Sequence, residues 1–221
     1  MSKVTFETVL KSQEIRTYIE QADASLAAMG FTEHSFVHVG RVAAFSSQLL
    51  LDLGYSRHDA EMARIAGYMH DIGNVVNRVD HAQSGAMMAF RLLDKMGMDA
   101  ADTAAVITAI GNHDEHTAYP VNAVAAALIL GDKTDVRRSR VRTKNRDSFD
   151  IHDRVNYSVT ESHVELDKEK KTLTLAIELD TESCSVMDYF EIFMDRMLLC
   201  RKAAGFFDLN FRLRINGQKV L

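Results

Sequence analysis

Apolar residues recur at intervals of three and four positions through most of residues 4–136, which is the spacing of one buried helix face. Glycines or polar segments separate six such stretches. A glycine just after a helix readily adopts the left-handed conformation that ends it, and Gly30, Gly54, Gly73 and Gly97 are placed in this way. The pattern predicts helices over residues 4–29, 33–53, 57–72, 81–96, 99–113 and 121–136.

Hydroxyl side chains stand just before two of these stretches. We expect Thr32 and Ser56 to begin the second and third helices, because a hydroxyl oxygen there accepts an otherwise unbonded backbone N–H. Pro120 is the only proline in the chain, and this scarcity favours long helices over a loop-rich all-β fold. The first part of the chain is therefore expected to be a helical bundle.

The pattern changes after about residue 140. Residues 141–156 are mostly polar and show little periodicity, so we expect a connection there. Residues 162–167 and 173–179 instead alternate between polar and apolar positions, with the polar turn KEKK between them. This alternation predicts an antiparallel β-hairpin.

A long amphipathic helix and a last strand are expected after the hairpin. The helix begins at Ser183 or Ser185 and ends at Gly205, and the strand lies in the segment NFRLRING. The predicted fold is mainly α, with a helical domain over residues 1–140 and a smaller β-β-α-β appendage over residues 141–221.

The composition is that of an ordinary globular protein, with 47% hydrophobic and 26% charged residues. The formal net charge of -5 gives no case for nucleic acid or an anionic membrane as a partner. No run approaches the roughly 18 apolar residues that a membrane span needs, and the first residues, MSKVTFETVLKSQEIR, lack the apolar core of a signal peptide. We therefore expect a cytoplasmic protein without a membrane partner.

Imidazole and carboxylate side chains recur at the ends of the predicted helices. His70 and Asp71 close the third helix, where the chain leaves the helix and neighbouring side chains can reach one centre. Asp132 follows the apolar run AVAAALILG, and a buried carboxylate there would be costly without a cation or another partner. Further imidazoles near predicted helix ends are His38, which is four positions after His34, together with His81 and His113.

The donor atoms of these side chains predict the class of metal. Imidazole nitrogen mixed with carboxylate oxygen suits divalent Fe, Mn, Co or Zn, whereas a purely structural zinc site would normally use cysteine. Mg is a further candidate. Two ions about 3.5–4 Å apart and bridged by a carboxylate would account for the whole ligand set. The sequence thus predicts one or two divalent cations as the cofactor.

These residues resemble the HD-domain superfamily of metal-dependent phosphohydrolases, whose pattern is H…HD…H…H…D on a bundle of helices. The matching segments lie between residues 34 and 135 and read HVGRVA, HDIGN, HAQSGA, AIGNHDEH and LILGDKTD. Each segment alone is a weak signal, but the five occur in the family's order on helices of the expected kind. The resemblance implies a helical HD domain.

The resemblance also implies how the ligands are divided. Members with only the four-residue core bind one metal, and the two additional histidines make this chain look like the dinuclear branch. One ion would be held by His38, His70, Asp71 and Asp132, and a second by His81 and His113, with Asp71 bridging.

One departure from the family pattern lies directly after the HDIG segment. Many dinuclear members have a lysine there, whereas this chain has Asn74, which removes a positive charge expected near the substrate. Arg41 and Lys133 are the candidates for binding a substrate phosphate. His116 is the candidate for protonating the leaving oxygen, or for replacing or supplementing His113 as a ligand.

The activity implied by the resemblance is hydrolysis of a phosphate ester or anhydride by a metal-activated water, with a nucleotide as the expected small-molecule substrate. The chain is expected to act without nucleic acid, and a homodimer is compatible with it. Two alternatives remain open at this point. One is a mixed-valent di-iron oxygenase on the same fold, and the other is a non-catalytic, metal-stabilised nucleotide sensor that signals through the C-terminal appendage.

Overall fold

The computed structural model describes residues 4–143, 145, 149 and 151–221. The chain divides into two compact units, Met1–Asp132 and Lys133–Leu221. The regular structure of the first unit is helical, and the second unit combines helices with a four-stranded sheet. Within the described part of the chain, no helix has the length and apolar character that crossing a membrane requires.

Helices follow one another along the whole of the first unit, as the spacing of its apolar residues predicts. These elements are α1 (Phe6–Lys11), α2 (Gln13–Ala28), α3 (Phe36–Asp52), α4 (Arg57–Met69), a 3-10 turn (Ile72–Val75), α5 (His81–Lys95), α6 (Ala100–Gly111) and α7 (Ala123–Lys133). Only the last residue of α7, Lys133, belongs to the second unit.

The prediction of a single helix over residues 4–29 is wrong, because the helix is interrupted at Ser12. Ser12 has an extended backbone, with φ -68° and ψ 111°, and its hydroxyl accepts a hydrogen bond from the N–H of Ile15. It therefore ends α1 and begins α2. A serine inside an apolar helical pattern can act as a cap as well as a helical residue, and here the cap prevails.

The predicted beginning of α3 is also corrected, whereas that of α4 is confirmed. Ser35 rather than Thr32 begins α3, and its hydroxyl accepts from the N–H of Val37. Ser56 begins α4 as expected, in a reciprocal capping box with Asp59.

Three of the four predicted glycine ends are confirmed. Gly30, Gly54 and Gly97 have φ values of 84°, 85° and 80° and follow α2, α3 and α5. Gly73 has no positive φ and instead lies in the 3-10 turn that follows α4. The chain after α4 therefore continues as a 3-10 turn, in which Ile72, Gly73 and Asn74 are buried.

Two glycines allow the helices of the first unit to approach one another closely. A Cβ at Gly67 in α4 would lie 2.7 Å from the Cα of Ala43 in α3. A Cβ at Gly131 in α7 would lie 2.7 Å from Oγ of Ser46 and 3.2 Å from the carbonyl oxygen of Val42, both in α3. Because each glycine lies within a turn of a predicted ligand, this packing brings the ends of α4 and α7 against α3.

The second unit contains the strands. Strand order in its sheet is β1-β2-β3-β4, with β1 and β2 antiparallel, β2 and β3 parallel, and β3 and β4 antiparallel. The hairpin and the β-β-α-β order are thus as predicted, with β4 as an addition. The elements are a 3-10 turn (Arg138–Arg140), α8 (Ile151–Ser158), β1 (Val159–Asp167), β2 (Thr172–Leu179), α9 (Val186–Phe206), β3 (Asn210–Ile215) and β4 (Gln218–Lys219).

Two predictions in the second unit need correction. Residues 141–156, expected to be a connection, include most of α8, although residues 144, 146–148 and 150 lie outside the described part of the chain. Gly205 lies inside α9 rather than at its end. Of the two candidate caps, Ser185 begins α9 in a capping box with Asp188.

Candidate metal centre

The predicted ligand side chains lie together inside the first unit, and all are at least 91% buried. Each comes from a helix or from the residues next to a helix end. His38 lies in the first turn of α3, His70 and Asp71 follow α4, His81 is the first residue of α5, His113 follows α6, and Asp132 lies in the last turn of α7.

Asp71 occupies the middle of this group. Its Oδ2 atom lies 3.1 Å from Nε2 of His70 and 3.6 Å from Nε2 of His38. Its Oδ1 atom lies 3.7 Å from Nε2 of His81 and 3.9 Å from Nε2 of His113. The two oxygens of one carboxylate therefore face two different pairs of imidazoles.

Asp132 completes the half of the centre that Oδ2 of Asp71 faces. Its Oδ1 atom lies 3.4 Å from Nε2 of His38 and 3.8 Å from Nε2 of His70. Three overlapping trios of donor atoms, each with its members within 4.8 Å of one another, join the two halves. These trios are His38, His70 and Asp71; His70, His113 and Asp132; and Asp71, His81 and His113.

The other half is built around two histidine rings that face each other. The Nε2 atoms of His81 and His113 are 3.2 Å apart. Their Nδ1 atoms donate to the backbone carbonyls of Arg78, at 3.0 Å, and Ile110, at 2.6 Å. Since a carbonyl only accepts, Nδ1 carries the proton, and in a neutral ring Nε2 presents a lone pair. A cation between the rings would bind both lone pairs.

Burial, together with the neighbouring charge of His113, lowers the pKa of His81 from 6.5 to about 4. The imidazole of His81 is therefore neutral at physiological pH and available as a ligand. His70 also donates its Nδ1–H to a carbonyl, that of Gly67 at 2.8 Å. Burial opposes its protonation, but the carboxylates of Asp71 and Asp132 outweigh burial and raise the pKa of His70.

Asp71 remains ionised in this environment. Burial alone would raise the pKa of its carboxyl group, but His70 and His113 overcome that effect and hold the pKa well below its usual range. Asn74 adds two hydrogen bonds, from Nδ2 to Oδ1 of Asp71 at 3.0 Å and to its carbonyl oxygen at 2.9 Å. The orientation of the carboxylate is thus fixed by a neutral, buried amide.

The donor set fits a divalent cation. Within the described part of the chain, the buried atoms Nε2 of His70 and Oδ2 of Asp71 make no hydrogen bond. Buried polar atoms in this condition are costly, and a metal ion bound by both would remove the cost. Imidazole nitrogen and carboxylate oxygen are also the donors that divalent transition metals use.

Of the three residues predicted to act on the substrate, two are exposed and one is buried. Arg41 is exposed on α3, one turn after His38. His116 is exposed in the turn that follows His113, and α6 ends before both residues, at Gly111. Their catalytic roles, and that of Lys133, the buried last residue of α7, stay predictions.

Sequence reasoning missed Arg78, which lies in the loop between the 3-10 turn and α5. Its Nη1 atom lies 3.4 Å from Nε2 of His81 and donates to Oδ1 of Asn74 at 3.2 Å. Its position three residues before His81 could have indicated this contact, because a carbonyl three residues earlier can accept a hydrogen bond from the histidine ring.

A protein-family model matches the part of the chain that contains this arrangement. Residues 35–142 match the family model of the HD domain. None of the curated proteins compared with the chain matches it. Among solved structures, the chain is similar to a predicted HD superfamily hydrolase from an uncultured Thermotogales bacterium, with 27% identity over 57% of this chain and 68% of that chain and a TM-score of 0.45. The HD-domain match contains all the clustered histidines and aspartates, so residues 35–142, which hold the candidate metal centre, are similar to the HD domain.

Proposed function

We propose that the chain is a dinuclear phosphohydrolase that cleaves a phosphate ester or anhydride, with a nucleotide as its substrate. The observation that carries this proposal is the position of Asp71, whose two carboxylate oxygens face separate pairs of imidazoles. A carboxylate shared in this manner is the usual bridge between two metal ions in hydrolases that act on phosphate esters.

Each half of the centre would hold one divalent ion. Fe, Mn, Co and Zn match the mixed nitrogen and oxygen donors, whereas Mg prefers oxygen alone and matches them less well. One ion would be bound by His38, His70, Asp132 and Oδ2 of Asp71, and the other by His81, His113 and Oδ1 of Asp71.

Bound metal ions of this kind supply Lewis acidity and a nucleophilic water near neutral pH. The protein contributes the positions of the donors. Backbone carbonyls orient the rings of His70, His81 and His113 through their Nδ1 protons, and Asn74 orients the carboxylate of Asp71. The burial of these side chains excludes bulk water, which strengthens electrostatic interactions with a phosphate.

The proposal is tested with protein loaded with Mn²⁺ or Fe²⁺ and incubated with nucleoside monophosphates, guanosine alarmones, cyclic dinucleotides and dinucleoside polyphosphates. Chromatography of the products is expected to reveal hydrolysis of at least one compound. Asp71→Asn should lower kcat/KM at least a thousandfold, because it removes the charge shared by the two halves. Asp94→Asn, at an exposed position of α5, is the matched control and should retain wild-type activity.

Two results would contradict the proposal. Turnover that requires iron and O₂, without phosphate release under any metal, would assign the site to a di-iron oxygenase. Nucleotide binding by fully metal-loaded protein, without turnover of any compound, would assign it to a sensor.

A further inference from the structure

Arg78 contacts one ligand side chain with both its backbone and its guanidinium group. Its carbonyl oxygen accepts the Nδ1–H of His81 at 3.0 Å, and its Nη1 atom lies 3.4 Å from Nε2 of the same ring. Nε2 of His81 in turn lies 3.2 Å from Nε2 of His113. The guanidinium group of Arg78 is therefore at the edge of the candidate metal centre, beside the half formed by His81 and His113.

Asn74 connects this guanidinium group to the central carboxylate. Its Oδ1 atom accepts from Nη1 of Arg78 at 3.2 Å, and its Nδ2 atom donates to Oδ1 of Asp71 at 3.0 Å. A lysine at position 74 has only donors and could not accept the hydrogen bond from Arg78. Asn74 thus links the guanidinium group of Arg78 to the carboxylate of Asp71 through two successive hydrogen bonds.

No carboxylate in the described part of the chain contacts the guanidinium group of Arg78 directly. The side chain of Arg78 is partly exposed. Its Cζ atom lies 5.5 Å from the centre of the Phe31 ring. The hydrogen bond to Asn74 uses Nη1, which leaves the Nε and Nη2 donors for an anionic ligand.

We infer that Arg78 binds the phosphate group of the substrate at the edge of the metal centre, an inference that rests on the proposed phosphohydrolase function. The planar guanidinium group has paired N–H donors that match two oxygens of one phosphate. Such a contact needs a phosphate with two oxygens free of the rest of the substrate, as in a terminal phosphate or a phosphodiester.

The test measures the binding of inorganic phosphate to metal-loaded protein by isothermal titration calorimetry, together with metal content per chain. Arg78→Gln should weaken phosphate binding at least tenfold and leave the metal content unchanged, and Arg78→Lys should recover part of the affinity. Arg57→Gln is the matched control, because Arg57 is exposed at the start of α4, about 20 Å along the helix from His70. It should bind phosphate as the wild type does.

Three results would overturn the inference. They are wild-type affinity for phosphate in Arg78→Gln, loss of phosphate binding only in proportion to lost metal, and the absence of phosphate binding by the wild type. The second result, a loss of phosphate binding in proportion to lost metal, would mean that Arg78 only positions the ring of His81. Because this measurement needs no turnover, a wild type that binds phosphate through Arg78 but hydrolyses no phosphoester would count against the proposed function alone.

Discussion

Asp71 owes its central position to the way in which helix α4 ends. His70 keeps a helical backbone, with φ -57° and ψ -35°, whereas Asp71 has φ -95° and ψ 2° and leads into the 3-10 turn. Adjacent side chains inside a helix point about 100° apart. The change of backbone at Asp71 lets both side chains reach the same centre, as their position at a predicted helix end indicated.

The pair of facing imidazoles predicts the effect of removing one of them. His81→Ala should lower the metal content of purified, metal-loaded protein by about one equivalent per chain, because only the half that contains His81 and His113 loses a ligand. Elemental analysis measures this difference, and circular dichroism checks that the variant is folded.

The matched control for His81→Ala is His58→Ala. His58 is exposed and contacts Asp102 at 2.6 Å, outside the buried group. It should keep the metal content of the wild type. An unchanged metal content in His81→Ala would remove His81 from the ligand set.

Residue types alone did not reveal the roles of Asn74 and Arg78. The resemblance to the HD-domain superfamily indicated that a lysine is absent directly after the HDIG segment, but not that the guanidinium group of Arg78 would lie nearby. The position of Arg78 depends on the loop that leads to α5, where Asp80 adopts a left-handed conformation with φ 56°. A loop conformation of this kind has no periodic pattern from which it could be predicted.

At the scale of helices, apolar spacing and glycines predicted the elements well, and hydroxyl caps predicted their ends less well. The choice between Thr32 and Ser35 depends on contacts of His34 in the folded chain, which its residue type does not reveal. The N–H of His34 donates to Oδ1 of Asp23 at 2.8 Å, and Nδ1 of His34 contacts the carbonyl of Thr32 at 2.7 Å. These contacts hold the segment outside the helix, so α3 begins only at Phe36.

Because the 3-10 turn packs closely against α5, adding one methyl group at Gly73 should strongly destabilise the protein. A Cβ at Gly73 would overlap the carbonyl oxygen of His81 and lie 2.5 Å from the backbone nitrogen of Gly85. Gly73→Ala should therefore lower the free energy of unfolding by about 1–3 kcal/mol, as overpacking of a buried contact does. Urea unfolding of the metal-free protein, followed by circular dichroism, measures the change.

Gly40→Ala is the control for this substitution. Gly40 also lies in a helix, α3, but a Cβ there would have nothing within 4 Å. It should leave the stability unchanged or raise it by up to about 1 kcal/mol, since alanine favours the helix. If Gly73→Ala were as stable as Gly40→Ala, the packing described between the 3-10 turn and α5 would be wrong.

At the scale of the whole molecule, the order of elements and the β1–β2 hairpin could be predicted, but the distances between elements and the strand that pairs with β3 could not. The four-residue turn between β1 and β2 allows only an antiparallel pair. The connection from β2 to β3 contains α9, which has 21 residues and is long enough for a parallel crossover. Sequence alternation identifies the strands without fixing this choice.

For the candidate metal centre, too, the order of the residues could be predicted, but the distances between their side chains could not. The sequence predicted the order of the histidines and aspartates from His38 to Asp132 and their places near helix ends. It did not predict which oxygen of Asp71 faces which imidazoles, because that depends on how tightly α3, α4 and α7 pack at their glycines.

Anomalous X-ray diffraction from crystals of the whole chain soaked in Mn²⁺ or Fe²⁺, recorded at the absorption edge of the metal, would show whether two metal ions bind on either side of Asp71. Two peaks are expected, one between Oδ2 of Asp71 and the imidazoles of His38 and His70, and one between Oδ1 of Asp71 and those of His81 and His113. A map without a peak beside Asp71, or with one peak that Asp71 does not contact, would contradict this expectation.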